Sequence, residues 1–238
     1  MTHLFYLEDC ASTNDEILQF LHSETDEVTS VYTFNQTMGR GQYGNLWKTS
    51  ENENIAITTG VKVSLIKTSD AIFNFYTAIV LRDFVANLTK AVVKIKWPND
   101  LIIENKKVSG ILIEKKKAEG TPFFLIGIGI NVLQEDFKTF PRAGSLLTQT
   151  GNSYDLHTLA AELYLHISTN IISGLTETEI LSQYNMHLYR RGEVAVFEKD
   201  KTRQNGIIKN ADERGFLWID LEKDGVQKFY HKEIEMLY

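Results

Sequence analysis

Cysteine is almost missing from this chain: Cys10 is the only one in 238 residues. No intramolecular disulfide and no cysteine-built zinc cluster can form, and with no conspicuous histidine partner the thiol reads as structural rather than nucleophilic. Also missing are a low-complexity tract and an apolar run of the roughly 20 residues needed to span a bilayer. With 43% hydrophobic and 24% charged residues the composition is that of an ordinary globular protein, and a soluble one is expected. The start, from Met1 to Cys10, has neither the basic region and sustained apolar stretch of a secretory signal nor the acid-poor character of a transit peptide. A cytoplasmic location is therefore expected. A basic surplus is absent too, since the net charge is −6. That balance argues against a broad phosphate-binding face, so neither nucleic acid nor membrane is an expected partner.

What is present suits one sizeable domain plus a small module. Leu4 to Leu7 reads as a strand running into Ser12-Thr13-Asn14-Asp15-Glu16, where Thr13 and Glu16 stand at capping-box spacing ahead of Ile17, Leu18 and Leu21. Val28 to Phe34 and Asn54 to Val63 read as strands separated by an unusual loop. From Ala71 to Leu88 apolar residues recur at helical spacing, which predicts a long amphipathic helix covering one face of a sheet. Strands follow over Val92 to Trp97, Leu101 to Ile103, Lys107 to Glu114 and Phe123 to Val132, with a turn near Glu104-Asn105. Helices are expected over Leu156 to Ile172 and Thr178 to Leu188. Beyond Gly192 short strands alternate with tight turns at Asp212 to Gly215 and Lys223 to Gly225. The reading is an α+β core over residues 1–190 and a five-strand miniature barrel over 191–238, docked on the core because so small a unit buries little surface alone.

Four segments carry chemistry. In Gln36-Thr37-Met38-Gly39-Arg40-Gly41-Gln42-Tyr43-Gly44-Asn45-Leu46-Trp47, three glycines surround one arginine. Backbone N–H groups there can close on an anion beside a fixed cationic fork, although a flexible connector has the same composition. The P-loop pattern is not met. Lys96-Trp97-Pro98-Asn99-Asp100-Leu101 sets a lysine, an amide and a carboxylate beside an aromatic at a strand end, or is a simple Asn-Asp turn. Lys107-Val108-Ser109-Gly110-Ile111-Leu112-Ile113-Glu114 starts a strand with a lysine, sharing a face with Ser109, and has a glycine where a ligand can approach; a solvated lysine is the plainer alternative. Gly127-Ile128-Gly129-Ile130-Asn131-Val132 puts glycines on one strand face, with room for something planar or for close helix packing, and adds the Asn131 amide.

In this order, with Ser12-Thr13-Asn14, these segments resemble the biotin protein ligase family. Its pattern is a Ser-Thr-Asn start, a Gly-Arg-Gly loop ending in tryptophan, Lys-Trp-Pro-Asn-Asp, Lys-x-x-Gly-Ile-Leu-x-Glu and Gly-x-Gly-x-Asn. The resemblance spans nearly the whole chain and implies a mixed-sheet catalytic domain followed by a small SH3-like β-barrel. It implies the monofunctional type, because the motif at Ser12 leaves no room for an N-terminal winged-helix domain.

By that resemblance Ser12, Thr13, Asn14, Gln36, Arg40, Gly41, Gln42, Lys107, Gly110 and Ile111 line a biotin pocket, mostly apolar with few placed donors. Arg40, Trp47, Lys96, Asn99, Lys107 and Asn131 serve ATP and the adenylate, with magnesium held chiefly by phosphate oxygens and water rather than by protein ligands. Lys107, Arg40 and Asp100 are the implied catalytic residues, Asp100 as the group that orients or deprotonates an acceptor amine. The implied partner is the biotin-accepting carrier domain of a carboxylase, and family members often pair through a sheet edge as homodimers. One departure stands out: Gln42 and Asn45 occupy positions where the family loop carries arginines, which implies weaker retention of the adenylate or compensation by Lys48. A lipoate or octanoate ligase of the same fold, and a non-catalytic biotin-binding protein, are the competing readings.

Overall fold

The computed structural model describes residues 3–48, 50–172 and 174–237. Met1 and Thr2 of the opening segment, Thr49, Ser173, Tyr238 and the side chain of Tyr43 lie outside the described residues.

The larger layer is a mixed seven-stranded sheet built from β1 (Leu4–Tyr6), β2 (Thr29–Thr33), β3 (Asn54–Lys62), β4 (Val93–Lys96), β5 (Asp100–Ile103), β6 (Lys106–Ala118) and β7 (Thr121–Asn131). Its spatial order is β1-β2-β3-β7-β6-β5-β4. Only β1 and β2 run parallel; the other neighbours are antiparallel. The β5–β6 hairpin turns on Glu104 and Asn105, both at positive φ (48° and 74°), where the shape of a tight two-residue turn demands it. β3 is buried along nearly its whole length and β7 along most of it.

The capping box expected of Thr13 and Glu16 does not form. Ser12 is the N-cap, without a side-chain cap bond, and α1 (Thr13–Glu16) is a single turn that tightens into a 3₁₀ turn over Ile17–Phe20. The Thr13 hydroxyl is turned inward instead, toward Gln36.

The long helix α2 (Asp70–Thr89) lies where helical spacing put it, but it is not amphipathic: twelve of its 20 residues are buried, Phe75 to Leu81 without a break. The sheet covers one side, and α4 (Leu156–Asn170) and α5 (Glu177–Met186) cover the other. Phe73 meets Phe124 of β7 at 4.5 Å between ring centroids, and Phe75 stacks on Tyr184 of α5 at 3.9 Å. The helix is long and apolar enough to cross a membrane, with a mean hydropathy of 1.2, yet 56% of that window is buried inside the protein. It is a core helix. A short helix not expected from the sequence, α3 (Leu146–Thr150), is capped by a reciprocal pair of Ser145 and Thr148.

The C-terminal part forms a second, antiparallel sheet of five strands: β8 (Val194–Lys199), β9 (Thr202–Ala211), β10 (Leu217–Leu221), β11 (Gly225–Phe229) and β12 (Glu235–Leu237), in the order β11-β10-β9-β8-β12. Among the described residues its outer strands β11 and β12 do not pair with each other. It is fastened to the core by Asn185 of α5, which donates to Ala211 O and accepts from Ala211 N, and by the Trp97 indole, which donates to Gly215 O at 3.1 Å.

Tyr184 is fully buried and its hydroxyl donates to Pro98 O at 2.9 Å, tying α5 to the turn before β5. Tyr184→Phe leaves that part-buried carbonyl without its donor. It is expected to cost about 1–3 kcal/mol, read as a lower urea midpoint at constant slope.

Candidate active site

A cleft of about 750 Å³, counting its open mouth, lies over the middle of the large sheet. It brings together thirteen of the fifteen residues singled out in the sequence: Ser12, Thr13, Asn14, Gln36, Arg40, Gly41, Gln42, Trp47, Asn99, Asp100, Lys107, Gly110 and Ile111. The other two, Lys96 and Asn131, do not line it. Lys96 borders a neighbouring cavity with Tyr189, Phe197 and Leu217. Asn131 is buried, and its amide donates to Gly144 O at 2.9 Å, fixing the segment before α3. The Nδ2 end of the amide is thus engaged by a backbone carbonyl.

The loop between β2 and β3 is an ordered miniature hairpin rather than a loose connector. Gly41 N donates to Asn45 O at 2.7 Å and Trp47 N to Gly39 O at 2.9 Å, while Thr37 N and Met38 N bond to Cys10 O and Ala11 O. This folds Trp47 back onto the sheet. At Gly129 an added Cβ would stand 2.3 Å from the Trp47 ring, and at Gly127 one would stand 2.3 Å from Asn14 Oδ1. The room left by the two glycines is thus taken by the protein's own indole and amide. The Trp47 Nε1 donor is buried without an acceptor among the described residues, which is uncommon for a buried polar group.

At one end of the cleft is a prearranged polar network. Gln36 Oε1 accepts from Thr13 N at 2.9 Å and from the Thr13 hydroxyl at 3.1 Å. The Thr58 hydroxyl donates to Asn14 Oδ1 at 2.6 Å, and Asn14 Nδ2 donates to Glu114 Oε2 at 2.7 Å. Thr58 escaped the sequence reading because it stands in no distinctive pattern; Glu114 closes the Lys-x-x-Gly-Ile-Leu-x-Glu segment, but the reading gave it no role.

At the other end, Lys107 Nζ pairs with Asp100 Oδ1 at 2.7 Å and lies 5.7 Å from the Trp47 ring centroid. The expectation that Lys107 and Ser109 share a face is corrected. The register slips between Leu101 and Ile102, so Val108 bulges out of the ladder. Lys107 therefore lies over Gly110, whose added Cβ would stand 3.2 Å from Nζ, while Ser109 points away and donates to Gly129 O. Asn99 donates to Ile111 O at 2.6 Å, which anchors the Trp97–Asp100 turn to β6.

Arg40 is held by a bidentate pair with Asp15, at 2.7 and 2.9 Å, and lies 3.6 Å from Glu114. Lys116 reaches Asp15 as well, at 2.9 Å. The hydrogen bond from Arg40, followed by that from Lys116, holds the Asp15 carboxyl well below the usual range. Burial pushes the Cys10 thiol up to about 11, so it stays protonated and unreactive at neutral pH. Asn45 and Leu46 also line the cleft; Lys48 is exposed and does not. His231 lines it from the second sheet, and no sequence motif announced it.

A family model described as the biotin/lipoate A/B protein ligase family matches residues 6–131. A biotin–acetyl-CoA-carboxylase ligase from Mycobacterium tuberculosis is 27% identical over 217 residues, covering 88% of this chain and 80% of that protein. The bifunctional ligase/repressor BirA of Bacillus subtilis is 24% identical over 243 residues, covering 98% and 74%. Among solved structures, biotin protein ligase from Aquifex aeolicus in complex with biotin and ATP matches with a TM-score of 0.81 at 22% identity, over 100% of this chain and 99% of that one. At that identity the structural match establishes the fold. The sequence match spans more than half of the chain and takes in all four loop and strand segments that build the cleft, so the chain belongs to the biotin/lipoate A/B protein ligase family.

Proposed function

We propose that this protein is an ATP-dependent ligase that activates biotin as biotinyl-5′-adenylate and transfers the biotinyl group to a lysine of a carrier protein, such as the biotin carboxyl carrier domain of a carboxylase. The observation that carries the reading is the joining, in one cleft, of a fixed polar network for a small neutral ring with a lysine placed over bare backbone at Gly110. In the first step the biotin carboxylate attacks the α-phosphorus of ATP and pyrophosphate leaves. In the second an amine attacks the acyl carbon of the mixed anhydride and AMP leaves.

In this reading Ser12, Thr13, Asn14 and Gln36 present donors and acceptors to the ureido ring, with Gly110 and Ile111 beside the bicycle. Arg40, Gly41 and Gln42 close over the carboxylate, and Arg40 must exchange Asp15 for the substrate to do so. Lys107 stabilises the charge that gathers on carboxylate and phosphate. Trp47 and Asn99 face the nucleotide. Lys96 and Asn131 act from outside the cleft lining, the latter through the Gly144 segment.

Among the described residues no cluster of three His, Cys, Asp or Glu side chains is arranged to cage a metal. Magnesium would enter with the nucleotide, held chiefly by phosphate oxygens and water. We further propose residues 1–190 as the catalytic unit and 191–238 as the SH3-like unit docked on it, a cytoplasmic location, and pairing of two copies through a sheet edge.

Three outcomes test this. Pyrophosphate release should depend on biotin, and Lys107→Ala should lower it by about 10²–10³, the loss typical of one preorganised charge-stabilising donor. Release with lipoate alone would assign a lipoate ligase, and tight biotin binding without release a binding protein. Gly129→Ala, which drives a methyl into the Trp47 ring, should raise KM for ATP more than KM for biotin, whereas Gly127→Ala, which displaces Asn14, should do the reverse. Gln42→Arg should slow dissociation of the adenylate; an unchanged off-rate would show that the missing loop arginine is without consequence.

A further inference from the structure

Among the described residues, the second sheet contributes one side chain to the lining of the main cleft. His231, between β11 and β12, lines it together with Asp100 and Lys107. It also lines an adjoining cavity of about 1170 Å³, whose apolar wall is Phe75, Trp97, Ile113 and Phe124. The two cavities share Gln42 and His231, so His231 stands at their junction. Its ring centroid is 5.7 Å from that of Trp97, whose own indole is bonded to the second sheet at Gly215.

The transfer step needs a base. A lysine amine is protonated at neutral pH and must lose a proton before or as it attacks. Asp100, the group the sequence offered for this task, already holds Lys107 at 2.7 Å, and protonating it would break that ion pair. His231 is differently placed. Burial, then Lys232, Lys96 and Lys107, hold its imidazole below the ordinary value, with Asp100 opposing them, so the ring is neutral at pH 7. The remaining charged or titratable groups around the adjoining cavity are Asp70, Lys115, Arg214 and Tyr230.

We propose that His231 is a catalytic residue of the transfer step, the base that takes the proton from the acceptor amine where the two cavities meet. This rests on the ligase reading above. The imidazole takes one proton from the ammonium and passes it to solvent; the freed amine nitrogen bonds to the acyl carbon, the bond from that carbon to the phosphate oxygen breaks with its electron pair leaving on AMP, and the second proton shed by the nitrogen as the amide forms leaves by the same imidazole to solvent. The adjoining cavity is the side from which the amine arrives.

The test uses the full chain with biotin, MgATP and a biotin carrier domain, and reads the two half-reactions separately: pyrophosphate release, and single-turnover transfer from adenylate formed beforehand. In the wild type the transfer rate should rise with pH as His231 loses its proton, and level off near neutrality. His231→Gln keeps a hydrogen-bonding side chain but cannot take up the proton. It should slow transfer at least about tenfold more than it slows pyrophosphate release, and remove the levelling-off near neutrality, so that the rate climbs on with pH as the amine itself deprotonates. In His231→Ala, added imidazole should restore part of the transfer rate. If both half-reactions slow equally, if the levelling-off near neutrality persists in His231→Gln, or if imidazole restores nothing, the role of His231 is overturned while the ligase reading stands. Failure of the wild type to release pyrophosphate with biotin would overturn the ligase reading, and this proposal with it.

Discussion

A methyl group at Gly127 or Gly129 would come within 2.3 Å of Asn14 or of the Trp47 ring. Bare backbone on one face of β7 is what lets two distant segments lie down on the sheet: the turn after β1, and the hairpin loop after β2. Because β7 sits inside the sheet between β3 and β6, that surface is held by hydrogen bonds on both sides and does not yield. Asn14 then fixes Thr58 and Glu114 around it, Trp47 roofs Lys107, and the cleft follows.

The cleft is electrostatically crowded before anything binds. Arg40 and Lys116 share Asp15, Glu114 lies beside Arg40, and Lys107 and Asp100 hold each other. An anion entering here does not meet free cations; it competes with carboxylates already in place. Binding is then an exchange of partners, in which the gain at Arg40 is offset by releasing Asp15 to Lys116 and water. These side chains are partly exposed, so each surface pair contributes little to stability by itself. Their importance lies in where they hold the guanidinium.

Much of this was readable in the chain. The strands, α2, α4 and α5 follow from periodicity, the β5–β6 turn from Glu104-Asn105, and most of the cleft from four motif segments. What was not readable depends on contacts made by sequence-distant parts. Periodicity could not say that α2 is covered on both sides, because α4 and α5 lie some 70 to 115 positions further on. The bulge at Val108 depends on the register against β5, which the strand pattern alone does not set. Asn131 belongs to a motif yet spends its amide on Gly144, and His231 belongs to no motif yet reaches the cleft.

The three tryptophans fall in three different places. Trp47 lies over the cleft beside the Lys107 ammonium, with its indole nitrogen unbonded. Trp97 sits at the seam between the two sheets and is bonded to Gly215, and Trp218 stands within the second sheet, bonded to Asp212. Each indole thus has its own polarity and its own neighbouring charge. Variants that keep one tryptophan at a time would place a single ultraviolet emitter in the cleft, at the seam or in the small sheet.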